Sequence, residues 1–260
     1  MDSYEYLLAG AVEAAYQSGK VIRKYYRGKF DVREKGKLGL VTTADIEAEA
    51  VAMKVLRKCE PGFGFLTEEA HSKAVQTKTE TGMWIIDPLD GTTNFVHRFP
   101  MFCVTIAAEI KGKVVAAVTY HPVLDEMYTA IRGQGAFMNG ERISVSKTAK
   151  MKSALLSTGF TQHQAKGFST EMSSFEKISG ACRAVRRSGS AALDMAYTAR
   201  GVFDGFWERH LYPWDVAAGS LLVEEAGGKV SDFKGKKFST RGVEVLATNG
   251  KVHRQILSKI

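Results

Sequence analysis

The hydrophobic periodicity of the 260-residue chain changes near residue 60, and this change indicates a mixed α/β fold. Before that point, apolar residues recur at three- and four-residue spacing, and Thr42-Thr43 are candidate N-caps of a second helix with Asp45 in its first turn. Lys111-Gly112 and Asn139-Gly140 predict hairpins, because residues in such turns take positive φ. Short apolar runs then predict strands of an antiparallel sheet at 63–67, 84–87, 102–110 and 114–120.

Beyond about residue 146, apolar runs and helical patterns alternate. Helices are predicted at 169–178, 190–199 and 214–226, and apolar runs at 155–160, 181–185, 202–207, 229–233 and 243–248. We therefore expect a layered α/β (α+β) protein with two halves. The N-terminal α+β half would be residues 1–146, and the C-terminal α/β half would be residues 147–260.

Composition narrows the class of protein. With 45% hydrophobic and 25% charged residues, the chain is neither disordered nor collagen-like. Its apolar stretches are much shorter than the roughly 20 residues that cross a bilayer, and the acidic Asp2 and Glu5 do not resemble a basic signal region, so we expect a cytoplasmic protein. Three scattered cysteines are too few for a disulfide scaffold or a zinc knuckle.

The net charge of +8 could attract nucleic acid, membrane headgroups or small anionic substrates. Basic residues form no long uninterrupted run, so the charge favours solubility and some steering of an anion.

The densest functional signal is the segment WIIDPLDGTTNF at residues 84–95. Proline should stop the apolar strand and set Asp87 at its end, and Asp90 follows after a turn. Two carboxylates would then converge beside the exposed amides of Gly91 and Thr92, an arrangement that suits a hard divalent cation and a phosphate. An isolated Asp-Pro-x-Asp-Gly segment is equally compatible with a surface turn that makes only local hydrogen bonds.

Further acids follow other predicted elements. Glu68 and Glu69 come directly after the 63–67 run, and Asp215 lies where the 214–226 helix begins. Alone, the first pair would fit a solvated cap, and Asp215 would fit a helix start favoured by the macrodipole. At the ends of several elements, however, such carboxylates can meet at one edge of a layered fold.

Taken together, these segments resemble the inositol monophosphatase family, a branch of the magnesium-dependent, lithium-sensitive phosphatases that includes fructose-1,6-bisphosphatases. The resemblance covers nearly the whole chain. Its motifs are VTTAD at 41–45, TEE at 67–69, WIIDPLDGTTNFVHRFP at 84–100, WDVAAG at 214–219 and EAGG at 225–228. It implies an alternating αβαβα sandwich, a homodimer, and two or three Mg²⁺ ions per active site.

The resemblance also implies roles for individual residues. Glu68, Asp87 and the carbonyl of Leu89 would form the tightest magnesium site, Asp87, Asp90 and Asp215 a second, and Glu68 with waters a third. Thr92, paired with Asp45, would help to deprotonate the attacking water, and the amides of Gly91 and Thr92 would hold the phosphate. Substrate hydroxyls would contact Glu208, and the same pocket would be lined by Gly189, Ser190 and Ala191 together with Asp90 and Asp215.

The chain departs from the family pattern at one position, and at a second position its alignment to the pattern is ambiguous. Gly39 stands where the family often has an aspartate, which puts metal affinity and lithium sensitivity in doubt. Either Lys35 or Lys37 could match the lysine of the mobile flap over the metals.

Two functional hypotheses follow. The first is an inositol monophosphatase that uses a metal-activated water directly, with a sugar-phosphate phosphatase such as a fructose-1,6-bisphosphatase as its variant. The second is a protein that binds nucleic acid or the transcription machinery and keeps residual phosphatase activity. Because every acidic ligand is retained, we expect a small phosphate ester as the partner and expect neither a membrane nor a nucleic acid.

Overall fold

A computed structural model describes residues 4–35, 39–69, 81–160, 168–242 and 244–260. The helices are α1 (Glu5–Tyr26), α2 (Thr43–Cys59), α3 (Thr92–Val96), α4 (Phe168–Ser179), α5 (Ala191–Ala199), α6 (Pro213–Glu225) and α7 (His253–Leu257). The strands of the first half are β1 (Val32–Glu34), β2 (Leu40–Thr42), β3 (Gly64–Thr67), β4 (Met83–Asp90), β5 (Cys103–Ile110), β6 (Lys113–His121), β7 (Glu126–Ile131), β8 (Gly135–Met138) and β9 (Glu141–Arg142). Those of the second half are β10 (Leu155–Thr158), β11 (Ala184–Arg186), β12 (Gly205–Arg209), β13 (Lys229–Ser231) and β14 (Glu244–Thr248).

Among the described residues the strands form two large sheets and one small ribbon. The seven-stranded sheet has the order β3-β4-β5-β6-β7-β8-β9 and is antiparallel except for the parallel pair β3 and β4. The five-stranded sheet has the order β11-β10-β12-β14-β13, with β10 parallel to both of its neighbours. Both predicted hairpins are confirmed, since Lys111, Gly112, Asn139 and Gly140 all have positive φ.

Helices cover both faces of each sheet, which gives the predicted α-β-α-β-α layering. Along β4, Trp84 and Ile86 belong to the apolar cluster of α1 and α2, whereas Ile85 belongs to the cluster of α5 and α6. On the second sheet, Phe206 packs into the α5 and α6 layer, and Trp207 packs into the outer layer with α4 and α7. Such strands are apolar on both faces, which explains their continuous hydrophobic runs. The boundary between halves near residue 146 stays a prediction.

Helix α2 begins where the sequence predicted it, and its cap brings Asp45 into position. Thr42 is the N-cap, and its hydroxyl accepts a hydrogen bond from the Ala44 amide at 3.1 Å. The Asp45 carboxylate accepts a hydrogen bond from the Thr42 amide at 2.8 Å, which completes a capping box. Asp45 is fully buried by this arrangement.

The prediction that the strand stops at Asp87 is wrong, because β4 continues to Asp90. Asp87 pairs with Thr105 and Asp90 with Cys103, so three steps along β4 match two along β5. One extra residue is therefore accommodated in a bulge that contains Pro88, which has no amide hydrogen to donate. In a regular strand, residues three apart point to opposite faces, and the bulge allows the two aspartates to turn to the same side.

Other boundaries also differ from the sequence predictions. The run 181–185 forms a strand only at Ala184–Arg186, because the amides of Ala181 and Cys182 still bond the end of α4 at Ile178. Similarly, β12 begins at Gly205, after a turn in which the amides of Val202 and Phe203 bond the Tyr197 carbonyl. None of the described helices combines the length and the hydropathy needed to cross a bilayer.

Candidate active site

Three aspartates from both halves of the chain form a compact acidic cluster. Asp87 and Asp90 project from the bulged end of β4, and Asp215 lies in the first turn of α6. Each offers a carboxylate oxygen, and these oxygens lie within 4.8 Å of one another. Asp215 is held by the Tyr212 amide, which donates to its Oδ2 at 2.7 Å. We call this cluster the acid trio.

The acid trio is electrostatically costly without a cation. Burial raises the pKa of Asp87 well above its usual range, and the charges of Glu68, Asp90 and Asp215 raise it further. Burial and the charge of Asp90 likewise raise the pKa of Asp215. These causes share one origin, because negative charges are crowded where little water can solvate them.

Asp90 is fixed by hydrogen bonds that cross between the two halves of the chain. Its Oδ2 accepts from the Ser190 hydroxyl at 2.6 Å and from the Ala192 amide at 2.8 Å. Burial raises the pKa of Asp90, and these two donors oppose that rise because they favour the charged carboxylate. The Ser190 hydroxyl also caps α5 by accepting from the Leu193 amide, so the start of α5 and Asp90 hold each other in place.

Glu68 lies beside the acid trio but is not a member of it, and it is paired with Lys35. The Lys35 ammonium donates to Glu68 at 3.3 Å and contacts Glu69 more closely. Burial lowers the pKa of Lys35, but the two glutamates outweigh this and raise it. Burial raises the pKa of Glu69 to about 7, opposed by its hydrogen bond with Lys35.

Lys35 contacts Glu68 and Glu69, whereas Lys37, the other candidate for the lysine of the family's flap, lies outside the described residues. Gly39 has φ +93°, in the left-handed region that favours glycine over the aspartate of the family pattern. The Lys35 amide donates to the Gly39 carbonyl at 2.7 Å, which helps to fix the backbone at Lys35.

Thr92 and Asp45 are paired, as the resemblance implied. The Thr92 hydroxyl lies 3.1 Å from Asp45 Oδ1 and 3.0 Å from the Leu89 carbonyl, so its single hydrogen can go to either acceptor. Asp45 Oδ2 accepts from the Thr42 hydroxyl at 2.5 Å. Burial raises the pKa of Asp45, and the hydrogen bonds from Thr42 work against that rise.

Gly91 joins β4 to α3 at a point where no side chain fits. Its φ is +95°, and an added Cβ would lie 2.7 Å from the Met101 carbonyl oxygen. Glycine is therefore required both by the backbone conformation and by the close approach of another segment.

A cavity of about 220 Å³ adjoins the acid trio. Asp90 and Asp215 line it together with the predicted substrate residues Gly189, Ser190, Ala191 and Glu208. Burial raises the pKa of Glu208 well above its usual range, the charges of Asp194, Asp215 and Asp90 raise it further, and Arg187 lowers it. A molecule in this cavity can thus contact two members of the trio and Glu208 at once.

Sequence reasoning missed several residues around this cavity. Asp194 lines it while 2% exposed, and its Oδ1 has no hydrogen-bond partner in the described part of the chain. Asn94 holds the neighbouring loop by donating to the carbonyls of Met101 and Ser188 at 2.7 and 2.8 Å. Asn94 could have been singled out within the DGTTNF motif, but Asp194 lies in an ordinary helical pattern that gives no signal.

The donor set fits a hard divalent cation. Carboxylate oxygens within 4.8 Å of one another are ligands that Mg²⁺ accepts, and a cation between them would relieve the repulsion that raises their pKa values. No thiolate or imidazole belongs to the acid trio, which argues against a site built for a softer metal.

Comparisons with known proteins identify the family of the chain. The sequence model of the inositol monophosphatase family matches residues 3–260. The chain belongs to the inositol monophosphatase family. It is 42% identical to the inositol-1-monophosphatase of Mesorhizobium japonicum, over 98% of this chain and 96% of the relative.

Two other relatives carry a different name. The Nus factor SuhB of Salmonella typhimurium is 43% identical, over 98% of this chain and 95% of the relative. The crystal structure of extragenic suppressor protein suhB from Bartonella henselae superimposes with a TM-score of 0.90, at 37% identity over 97% of each chain. The chain is thus about equally identical to a relative named inositol-1-monophosphatase and to one named Nus factor SuhB. Membership of the family does not decide which of these two names fits its function.

Proposed function

We propose that the chain is a magnesium-dependent phosphatase of small polyol phosphates, with myo-inositol 1-phosphate as the first candidate substrate. The observation that carries the proposal is that Asp90 and Asp215 of the acid trio line the same cavity as Glu208. A polyol phosphate has both chemical groups that such a cavity suits, a phosphate for the cation and hydroxyls for a carboxylate acceptor.

Asp87, Asp90 and Asp215 would hold Mg²⁺, with Glu68 and the Leu89 carbonyl as further ligands, for two or three ions in all. When bound, Mg²⁺ supplies Lewis-acid chemistry that offsets the negative charge developing at the phosphoryl group. Glu68 would join these ligands through a carboxylate whose Oε1 lies 3.3 Å from the Lys35 ammonium.

The chain's own residues would orient the water and the phosphate. When the Thr92 hydroxyl donates to Asp45, its oxygen lone pairs can accept a hydrogen bond from the attacking water. Asp45 suits this role because hydrogen bonds from Thr42 hold it in place. The amides of Gly91 and Thr92 would bind the phosphate, and water would attack phosphorus directly, without a covalent intermediate on the enzyme.

The direct test is phosphate release from a panel of esters with and without Mg²⁺. The panel contains inositol 1-phosphate, fructose 1,6-bisphosphate, histidinol phosphate and adenosine 3′,5′-bisphosphate, and a lithium series addresses the Gly39 departure. We expect Asp90→Asn to lower kcat by about 100-fold or more, because it removes a charged ligand. The exposed Asp31→Asn is the matched control and should retain wild-type turnover. Wild-type turnover by Asp90→Asn in saturating Mg²⁺ would refute the assignment.

A second candidate function is binding to nucleic acid or the transcription machinery. It is favoured by the relatives named Nus factor SuhB, at 43% identity, and by the net charge of +8. The comparisons therefore give no support to the expectation that nucleic acid is not a partner. An RNA mobility shift that weakens steeply with salt, measured on both wild type and Asp90→Asn, would favour this function if phosphate release is negligible.

The homodimer and the cytoplasmic location implied by the sequence and the family remain part of this proposal. Sedimentation of the purified chain over a range of concentrations would test the dimer.

A further inference from the structure

Gly159 and Glu208 lie side by side at the cavity, just past the last pairing between the parallel strands β10 and β12. The last paired residues of β10 and β12 are Thr158 and Trp207. The Thr158 hydroxyl donates to the Trp207 carbonyl at 2.6 Å, which fixes this register. Gly159 follows Thr158 and Glu208 follows Trp207 in the sequence, and both residues line the cavity.

The carboxylate of Glu208 occupies the space that a side chain at residue 159 would need. A Cβ built on Gly159 would lie 2.2 Å from both Oε1 and Oε2 of Glu208 and 2.3 Å from its Cδ. These separations are far below van der Waals contact, so no side chain at residue 159 is compatible with this position of the carboxylate. The backbone of Gly159 is not among the residues with positive φ, so space rather than conformation requires the glycine.

The carboxyl group of Glu208 in this position is accessible to a ligand in the cavity. No hydrogen bond from a described residue to the carboxyl group of Glu208 is found, and Glu208 lines the cavity with Asp90 and Asp215. Acceptors without protein donors, at the edge of a cavity, suit the hydroxyl groups of a polyol. Arg187 is the one lysine or arginine among the described residues that line the cavity.

We propose that Gly159 is a specificity-determining residue, which acts by seating the Glu208 carboxylate where it accepts hydrogen bonds from the substrate's hydroxyls. The inference rests on the proposed phosphatase function. Gly159 itself does not touch the reacting atoms, and it is a positioning residue in this sense. Because the displaced group is the end of a flexible side chain, Gly159→Ala should move Glu208 and leave the fold intact.

The test compares an ester rich in hydroxyls with one that lacks them. For Gly159→Ala we expect kcat/KM on inositol 1-phosphate to fall by about tenfold or more, which matches the loss of one or two hydrogen bonds between the substrate's hydroxyls and the carboxyl group of Glu208. On p-nitrophenyl phosphate, whose leaving group has no ring hydroxyls, the change should stay below about twofold. Gly180→Ala is the matched control, since it adds the same methyl group at a glycine with ordinary φ that does not line the cavity.

Two further measurements separate positioning from general damage. The thermal midpoint of Gly159→Ala should stay within about 2 °C of wild type. Glu208→Ala should lose the same discrimination, and adding Gly159→Ala to it should change kcat/KM little further, because both changes remove one interaction. A crystal structure of Gly159→Ala should show the Glu208 carboxylate displaced from residue 159.

The outcomes distinguish this inference from the function on which it rests. If the wild-type chain releases no phosphate from any ester, the proposed function is wrong and the inference falls with it. If wild type prefers inositol 1-phosphate and Gly159→Ala keeps that preference, the inference alone is wrong. An equal loss on both esters, or additive losses in the double variant, would also overturn it, since neither is expected of a residue that acts through Glu208.

Discussion

A buried histidine that packs against the five-stranded sheet should make the stability of the fold sensitive to mild acid. His253, at the start of α7, is 1% exposed. Its Nε2 lies 2.9 Å from the Ser231 hydroxyl and its Nδ1 lies 2.9 Å from the Thr248 hydroxyl. A neutral ring has one donor and one acceptor nitrogen, so protonation would force both hydroxyls to accept and would place a charge in the core. Burial, with a smaller effect of Lys229, lowers the pKa of His253 to about 4.

The size of the effect follows from the difference between the folded and unfolded pKa values. The ordinary histidine value is 6.5 and the folded value is about 4, so between these pH values the unfolded chain binds more protons. The stabilisation is therefore present above pH 6.5 and is lost as the pH falls toward 4. The full difference corresponds to about 3 kcal/mol, and the part lost between pH 7 and pH 4.5 to about 2.4 kcal/mol.

Urea unfolding at pH 7, 6, 5 and 4.5 measures the free energy of unfolding of wild type and of His253→Gln across this range. Other groups titrate too, including the buried carboxylates of the active site, so the informative quantity is wild type minus variant at each pH. We expect the variant to be the less stable protein at pH 7, and the gap to shrink by about 2 kcal/mol at pH 4.5. A gap that stays constant across this range would refute the reasoning, because it would mean that His253 titrates alike in the folded and unfolded chains.

Three further predictions concern the active site. Gly91→Ala should lower the free energy of unfolding by about 1–3 kcal/mol in urea, since it combines positive φ with a clash against the Met101 carbonyl; a loss within error would contradict this account of the turn. Ser190→Ala should raise the Mg²⁺ concentration for half-maximal activity by about tenfold, because Asp90 loses its 2.6 Å hydrogen bond, and an unchanged Mg²⁺ dependence would argue that the serine only caps α5. Mg²⁺ should raise the thermal midpoint of wild type but much less that of Asp90→Asn, and chelator should reverse the rise; an equal rise in both proteins would place the binding elsewhere.

The sequence predicted those parts of the fold that depend on local chemistry. Thr42 caps α2 and Lys111-Gly112 turns a hairpin, because both features need only a few neighbouring residues. It failed at β4, where Pro88 was expected to end the strand, since whether a bulge can absorb a proline depends on the partner strand. Strand β7 was missed altogether. Its alternation of polar and apolar residues is brief, and it begins directly after a turn at Asp125, which has positive φ.

The acids of the site could be named from the sequence because their motifs follow one another in the same order as in the family pattern. The contacts that position them could not be named. That Ser190 would bond Asp90, 100 residues earlier, depends on the docking of α5 against the first sheet. That Gly159 would leave room for Glu208 depends on the register of two parallel strands. In both cases the residue type is ordinary, and the constraint arises only from tertiary structure.

The acid trio couples metal binding to the docking of the layers of the fold. Asp87 and Asp90 come from the first sheet, and Asp215 comes from α6, which packs between the two sheets. Bringing these carboxylates together opposes the docking of the layers, because burial raises the pKa values of all three and mutual repulsion raises those of Asp87 and Asp215 further. The apolar cluster shared by α5, α6 and both sheets must therefore supply more stabilisation than the repulsion removes. It follows that a cation bound by the trio would strengthen the contact between the halves, so that metal binding and the assembly of the cavity beside Glu208 are coupled.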